Sequence, residues 1–212
     1  MAIKVKPHTA GWLLFIVYAV GYAGFQFSET KGLMRELIWV NLLLTLIILL
    51  SYHKKWDKNF ILTSLLLSFL GYGLEVVGVK TGLIFGEYVY GPTLGFKYWN
   101  TPIMMGVTWI TTLYLSRQIA ESLVKDPFLH CLIAASLMVL LDFFIEPFAI
   151  KQYMWAWKNT TVPIHNYIGW FVSGFVLHYI FLKFTKFPQN KLSLAVYIIQ
   201  LGFFLALFLS KN

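Results

Sequence analysis

The sequence predicts an all-α, polytopic integral membrane bundle of about seven transmembrane helices, and three observations predict it. Hydrophobic residues fill 58% of the 212 positions and charged residues only 12%, where a globular domain carries about 25% charge. Seven apolar segments recur along the chain, each near the roughly 20 residues that cross a bilayer's hydrocarbon core. Two of the connections between them are rich in glycine and aromatic residues, as expected of segments that cap an intramembrane cavity.

In chain order, the first segment runs from Ala10 to Phe27. No small-residue cleavage site follows it, so it reads as a retained helix rather than a signal peptide. The second, Leu33 to Tyr52, carries Arg35 and Glu36 near one end, where both reach the interface by snorkelling. The third, Phe60 to Val79, contains Glu75 about one turn from its end. The fourth spans Asn100 to Ala120, and the fifth, Phe128 to Phe148, contains Asp142 and Glu146. Asn166 to Leu182 and Leu192 to Leu209 complete the set. Residues 1–212 read as a single transmembrane domain with no soluble domain appended.

Lysine and arginine set the expected topology. With seven spans, ten of the 17 (Lys4, Lys6, Lys54, Lys55, Lys58, Arg117, Lys125, Lys183, Lys186 and Lys191) share one face with the amino terminus. This predicts a multi-pass protein of the cell inner or plasma membrane with a cytoplasmic amino terminus. The +8 net charge is spread over loops; membrane lipid headgroups account for it without a nucleic-acid partner.

The two unusual connections lie on the opposite predicted face. Thr81 to Trp99 reads TGLIFGEYVYGPTLGFKYW, and Lys151 to His165 reads KQYMWAWKNTTVPIH. The alternation around Ile84 to Tyr90 suits a short hairpin or a re-entrant turn.

Four of the nine carboxylates, Glu75, Glu87, Asp142 and Glu146, lie in or beside these apolar regions. A carboxylate in hydrocarbon is costly, and intramembrane acids mark proton paths, ion sites or reactions. Asp142 and Glu146 are four apart and share a helix face. Like charges this close disfavour double ionisation, so one of them is expected to hold a proton. Pro147 places Glu146 at a helix end or kink. The competing reading is a tertiary lock, each acid paired with Lys80, Lys97, Lys151 or a tryptophan N–H. Glu75 sits among glycines that allow close helix approach; its plainer role is a hydrogen bond to a nearby tyrosine. Glu87 is expected to be buried in its glycine-rich connection. His165 and Asn166 open the sixth segment, and His165 reads as an interfacial hydrogen-bonding group or proton relay. Trp99, Trp109, Tyr153, Trp155, Trp157, Tyr167 and Trp170 gather around the same connections, suiting a long conjugated ligand or a carbocation held by ring faces. Met104 and Met105 read as packing.

Several chemistries lack their signatures. One cysteine, Cys131, excludes an internal disulfide and any cysteine-cluster metal site. The seventh segment has no mid-helix lysine for a retinal Schiff base. Phosphate-cradling loops, Gly-x-Ser-x-Gly and HExxH are absent from the sequence. No metal and no cofactor is expected.

The string GLEVVGVKTGLIFGEYVYGPTLGFK (Gly73 to Lys97) resembles the central signature of the bacterial and archaeal carotenoid biosynthesis membrane family. Further matches are Thr101-Pro102 to Trp109, Met138 to Pro147 (MVLLDFFIEP), Trp155-Ala156-Trp157, and Val162 to Trp170 (VPIHNYIGW). The resemblance covers about Glu75 to Trp170, and several motifs in one order make it specific. Met104 to Trp109 departs from the proline- and asparagine-rich run expected of relatives, a difference that bears on substrate more than on acid chemistry. The best-known members are 1,2-hydratases of γ-carotene or bisanhydrobacterioruberin ends.

The resemblance implies cofactor-independent addition of water across the terminal C1=C2 bond of an acyclic or monocyclic carotenoid. Asp142 or Glu146 would be the acid, with Glu75 or Glu87 activating water. Tyr88, Tyr90, Lys97, Trp109, Trp155, Trp157, His165, Asn166 and Trp170 would bind substrate, and contact with other carotenoid enzymes is a further expectation. A membrane carotenoid cyclase would use the same protonation in a dry pocket. A proton-coupled transporter would spread its acids along a path across the membrane, and a pigment-binding protein would need no buried acid.

Overall fold

In the computed structural model, which describes residues 5–210, the chain is mostly helical. Lys4 and Lys211 lie outside the described residues. The elements are α1 (Pro7–Gly24), α2 (Ser28–Glu36), α3 (Ile38–Ser51), α4 (Lys58–Thr81), β1 (Tyr88–Tyr90), β2 (Lys97–Tyr98), β3 (Thr101–Pro102), α5 (Met104–Leu123), α6 (Pro127–Lys151), β4 (Trp155–Trp157), α7 (Ile164–Phe184) and α8 (Ser193–Leu209). Helix starts follow local chemistry. The Asp57 carboxylate accepts from the Phe60 N–H at 2.8 Å to cap α4. Asp126 does the same for α6 through the Leu129 N–H, also at 2.8 Å, with Pro127 at the first helical position. α4 stops at Gly82, whose φ of +67° is the left-handed conformation that favours glycine.

Each of the seven apolar segments becomes a helix, and the second is broken into α2 and α3 with a 53° bend. By length and apolarity α4, α6 and α7 qualify as membrane spans, and the α2–α3 pair makes a fourth if taken as one. The expectation of about seven is therefore met only in part. The shortfall has physical causes: α1 is 18 residues long and opens on Pro7, His8 and Thr9, α8 is only 17 residues long, and α5 is too polar. Thirteen of the 20 residues of α5 are buried, among them Thr111, Thr112, Ser116, Arg117 and Gln118. α5 packs against α3, α4, α6, α7 and α8, so it is the hub of the bundle, where polar side chains can find protein partners. The outward faces are apolar instead. On α7, Ile164, Ile168, Val172, Val176 and Tyr179 form an exposed stripe, the helical spacing of one face.

Pro147 does not end its helix. α6 continues through it to Lys151, with the buried Phe148 and Ala149 anchoring the last turn. Glu146 therefore sits inside the helix, one turn after Asp142.

The two aromatic connections pair with each other. β1 and β4 form an antiparallel ribbon with Tyr88 opposite Trp157, Val89 opposite Ala156 and Tyr90 opposite Trp155. The alternation that suggested a local hairpin thus belongs to a long-range pair. The local hairpin is β2–β3, turned by Trp99 and Asn100, both at positive φ (48° and 60°), the backbone of a two-residue type I′ turn.

Candidate active site

The ribbon's pleat decides which side chains reach the bundle. Successive strand residues point to opposite faces, so Tyr88 and Tyr90 are buried while Val89 is exposed, and Trp157 is buried while Ala156 is exposed. The inward four deliver their polar atoms to two acids. The Tyr88 and Tyr90 hydroxyls donate to Glu75 Oε2 at 2.5 and 2.7 Å. Trp155 and Trp157 each donate from Nε1 to Glu146 Oε2 at 2.9 Å.

The helices supply the remaining donors. Trp109 of α5 donates from Nε1 to Glu75 Oε1 at 2.9 Å. Asn166 of α7 donates from Nδ2 to Asp142 Oδ2 at 2.8 Å and to Glu146 Oε1 at 3.2 Å. Trp109 and Trp170 stack with centroids 4.2 Å apart and planes 1° from parallel. Trp109 reaches Glu75 because Gly71 lets α5 approach; a Cβ there would strike the Trp109 side chain.

Glu75, Asp142 and Glu146 are 2%, 5% and 2% exposed. Their hydrogen-bond partners are phenols, indoles and an amide, all neutral. Burial and then the charge of Glu75 hold the Tyr88 and Tyr90 phenols protonated far above their usual range, so both remain donors to Glu75.

Two adjoining cavities meet these groups. The larger holds about 690 Å³ of atom-free space, its mouth included, with an apolar wall that includes Leu42, Met138, Leu141, Ile145 and Phe204. The smaller, about 260 Å³, lies among Glu75, Tyr88, Tyr90, Glu146 and Asn166. Asp142, Met105, Trp155 and Trp170 border both. An apolar slot therefore ends at a carboxyl, with a smaller chamber of carboxyls, phenols, an amide and aromatic rings beside it.

Ten of the expected site residues come together: Glu75, Asp142, Glu146, Tyr88, Tyr90, Trp109, Trp155, Trp157, Asn166 and Trp170. Three do not. Glu87 is exposed rather than buried and pairs with Lys158, because the strand alternation puts it on the face of Val89. Lys97 donates from Nζ to Tyr90 O at 2.6 Å and ties the β2–β3 hairpin to the ribbon. His165 is exposed and borders a separate surface hollow with Glu87. The expected lysine partners do not reach the buried acids either: Lys80 lies over the Trp99 ring at 4.9 Å, and among the described residues the ion pairs are Lys55–Asp57 and Lys158–Glu87. Met105, read as packing, borders both cavities. No three His, Cys, Asp or Glu side chains converge as metal ligands among the described residues.

The profile of the carotenoid biosynthesis protein family matches residues 36–211. The chain belongs to that family. The carotenoid biosynthesis match contains the whole carboxylate cluster, the ribbon and both cavities. A bisanhydrobacterioruberin hydratase of Haloarcula japonica is 28% identical over 133 residues, 57% of this chain and 44% of the relative. The match takes in less than half of that relative's length. No solved structure matches the chain.

Proposed function

We propose that this protein is a carotenoid hydratase that adds water across the terminal C1=C2 bond of an acyclic ψ end group. The observation that carries the reading is the junction at Asp142, where an apolar slot meets a chamber walled by carboxyls and aromatic rings. The family membership and the hydratase relative support the substrate class.

Hydrogen bonds to a carboxylate stabilise its charged form. Glu75 and Glu146 each accept from three donors, which offset part of the cost of burial, so these two suit the ionised state better than Asp142 does. Asp142 accepts a single hydrogen bond, from Asn166, and borders the slot, which makes it the acid. Its proton goes to C2, forming a C–H bond and leaving a tertiary cation at C1. The Trp170 face and the fixed charges of Glu75 and Glu146 stabilise that cation. Water in the smaller chamber attacks C1, and Glu146 takes its surplus proton. Return of that proton to Asp142, one turn away, resets the pair. The sum is carotenoid plus water giving a tertiary alcohol, with no change of oxidation state.

In this reading the seven helical segments lie in the plasma membrane, the amino terminus is cytoplasmic and the acids are near the outer face. Substrate enters from the lipid, and neighbouring carotenoid enzymes supply or consume it. Glu87 acts as a clasp on the ribbon.

The test is expression in cells accumulating lycopene, γ-carotene or bisanhydrobacterioruberin. A product heavier by one water is expected. A ring-bearing product of unchanged mass would favour the cyclase, and no product from any of the three would overturn the proposal.

A further inference from the structure

A further cavity opens at the opposite end of the bundle, where α5 ends, α6 begins and the chain leaves α7. It holds about 1140 Å³ of atom-free space, mouth included, and is lined by Arg117, Glu121, Lys125, His130, Thr185 and Lys186 among others. Lys125 and Lys186 are exposed at the mouth, while Arg117, His130 and Thr185 are buried.

Arg117 is 1% exposed, yet no carboxylate pairs with it. Nη1 donates to Phe181 O at 2.7 Å and to Thr185 Oγ1, and Nη2 donates to Thr185 O at 2.9 Å. Phe181 and Phe187 present ring faces 4.4 and 4.3 Å from Cζ. These contacts use three of the five guanidinium hydrogens. The Nε hydrogen has no partner, and Nη2, with a single acceptor, keeps a second hydrogen. Glu121 Oε2 and His130 Nε2 are also buried without partners.

We infer that this cavity binds a phosphate group, carried by a phospholipid or free in solution, with the open Nε/Nη2 edge of Arg117 gripping two of its oxygens. The guanidinium is hydrogen-bonded only to carbonyls and a hydroxyl; Glu121, one turn along α5, acts on it across the cavity without a direct ion pair, so the desolvation of the buried charge is only partly offset. Its free edge has the two-point spacing that matches phosphate oxygens. Arg117, Lys125 and Lys186 against Glu121 leave the lining with three positive charges to one negative, which draws anions to the mouth. Glu121 Oε2 is an acceptor in the same cavity and suits a hydroxyl on the ligand, as a glycerol headgroup carries. The site is independent of the hydration chemistry.

The experiment uses the full chain purified in neutral detergent. Thermal unfolding is followed with phosphatidylglycerol against phosphatidylcholine, and with sodium phosphate against sodium chloride at equal ionic strength. A saturable stabilisation by phosphatidylglycerol assigns a headgroup; one by phosphate alone assigns a free phosphate species; either supports the site. Arg117→Lys keeps the charge and loses the two-point edge, so the half-saturating concentration should rise about tenfold or more, the cost of a charge-assisted hydrogen bond. The double variant Lys125→Ala/Lys186→Ala alters only exposed positions and should also weaken binding, which keeps the test available if Arg117→Lys does not fold. No stabilisation by either anion, or unchanged binding in both variants, would overturn the inference.

Discussion

The two buried polar clusters carry opposite charge and are satisfied in opposite ways. At one end three carboxyls accept from two phenols, three indoles and an amide. At the other a guanidinium donates to main-chain carbonyls and a hydroxyl. Neither cluster pairs opposite charges. Within each, the under-bonded member borders a cavity: Asp142 with its single donor, Arg117 with its unused edge. Fully bonded neighbours fix geometry, and the incompletely bonded group is where a ligand or a reaction can gain most.

The largest expected effect separates the two ends. Asp142→Asn keeps the shape and can still accept from Asn166, but cannot protonate an alkene, so conversion should fall by roughly 10²–10⁴, the range for a general acid. Arg117→Lys should leave conversion near wild type, and equal losses in both would abolish the distinction. Next comes Trp157→Phe, which removes one of the two donors on Glu146 Oε2. A buried hydrogen bond to a charged group contributes about 1.5–3 kcal/mol, so denaturant unfolding should show a loss of that order together with slower conversion. Gly71→Ala tests the scaffold. Forcing a methyl against Trp109 should cost about 1–3 kcal/mol and loosen the third donor on Glu75, read as a lower midpoint of thermal unfolding. The smallest effect belongs to Glu87→Gln. An exposed ion pair contributes about 0–1 kcal/mol, so stability and conversion should both stay close to wild type; a large loss of conversion would restore Glu87 as a reacting group.

How much of this was legible depended on sequence distance. Asp142 and Glu146 could be placed together because the helical period fixes positions four apart, and that held even though α6 runs through Pro147. Asn166 and the tryptophans were recognised as site residues, yet the register of Tyr88 opposite Trp157, 69 positions apart (157 − 88), carries no local signal. Without the ribbon, Glu87 looked as enclosed as Glu75. The signal that would have corrected it was its parity with Val89 rather than with the two tyrosines. The polar face of α5 was also visible as Thr108, Thr111, Thr112 and Ser116 at helical spacing. The sequence alone reads as one more apolar crossing there, because composition averages around a helix while burial depends on the neighbours. Arg117, near the end of that segment, reads as one of the charges that set topology for the same reason.

The ribbon couples two stretches of chain that could otherwise change independently. Its three-residue strands have a period of two, so adding or removing one residue within either strand exchanges the inward and outward sets. In β1 the change would set Val89 before Glu75 in place of two phenols, leaving Trp109 as its donor; in β4 it would set Ala156 before Glu146 in place of two indoles, leaving Asn166. Either acid would lose two of its three donors by a change that does not touch it. Length variation in these two segments is therefore constrained to preserve parity, and a relative with an odd insertion in one strand should show a compensating shift or have lost the chemistry.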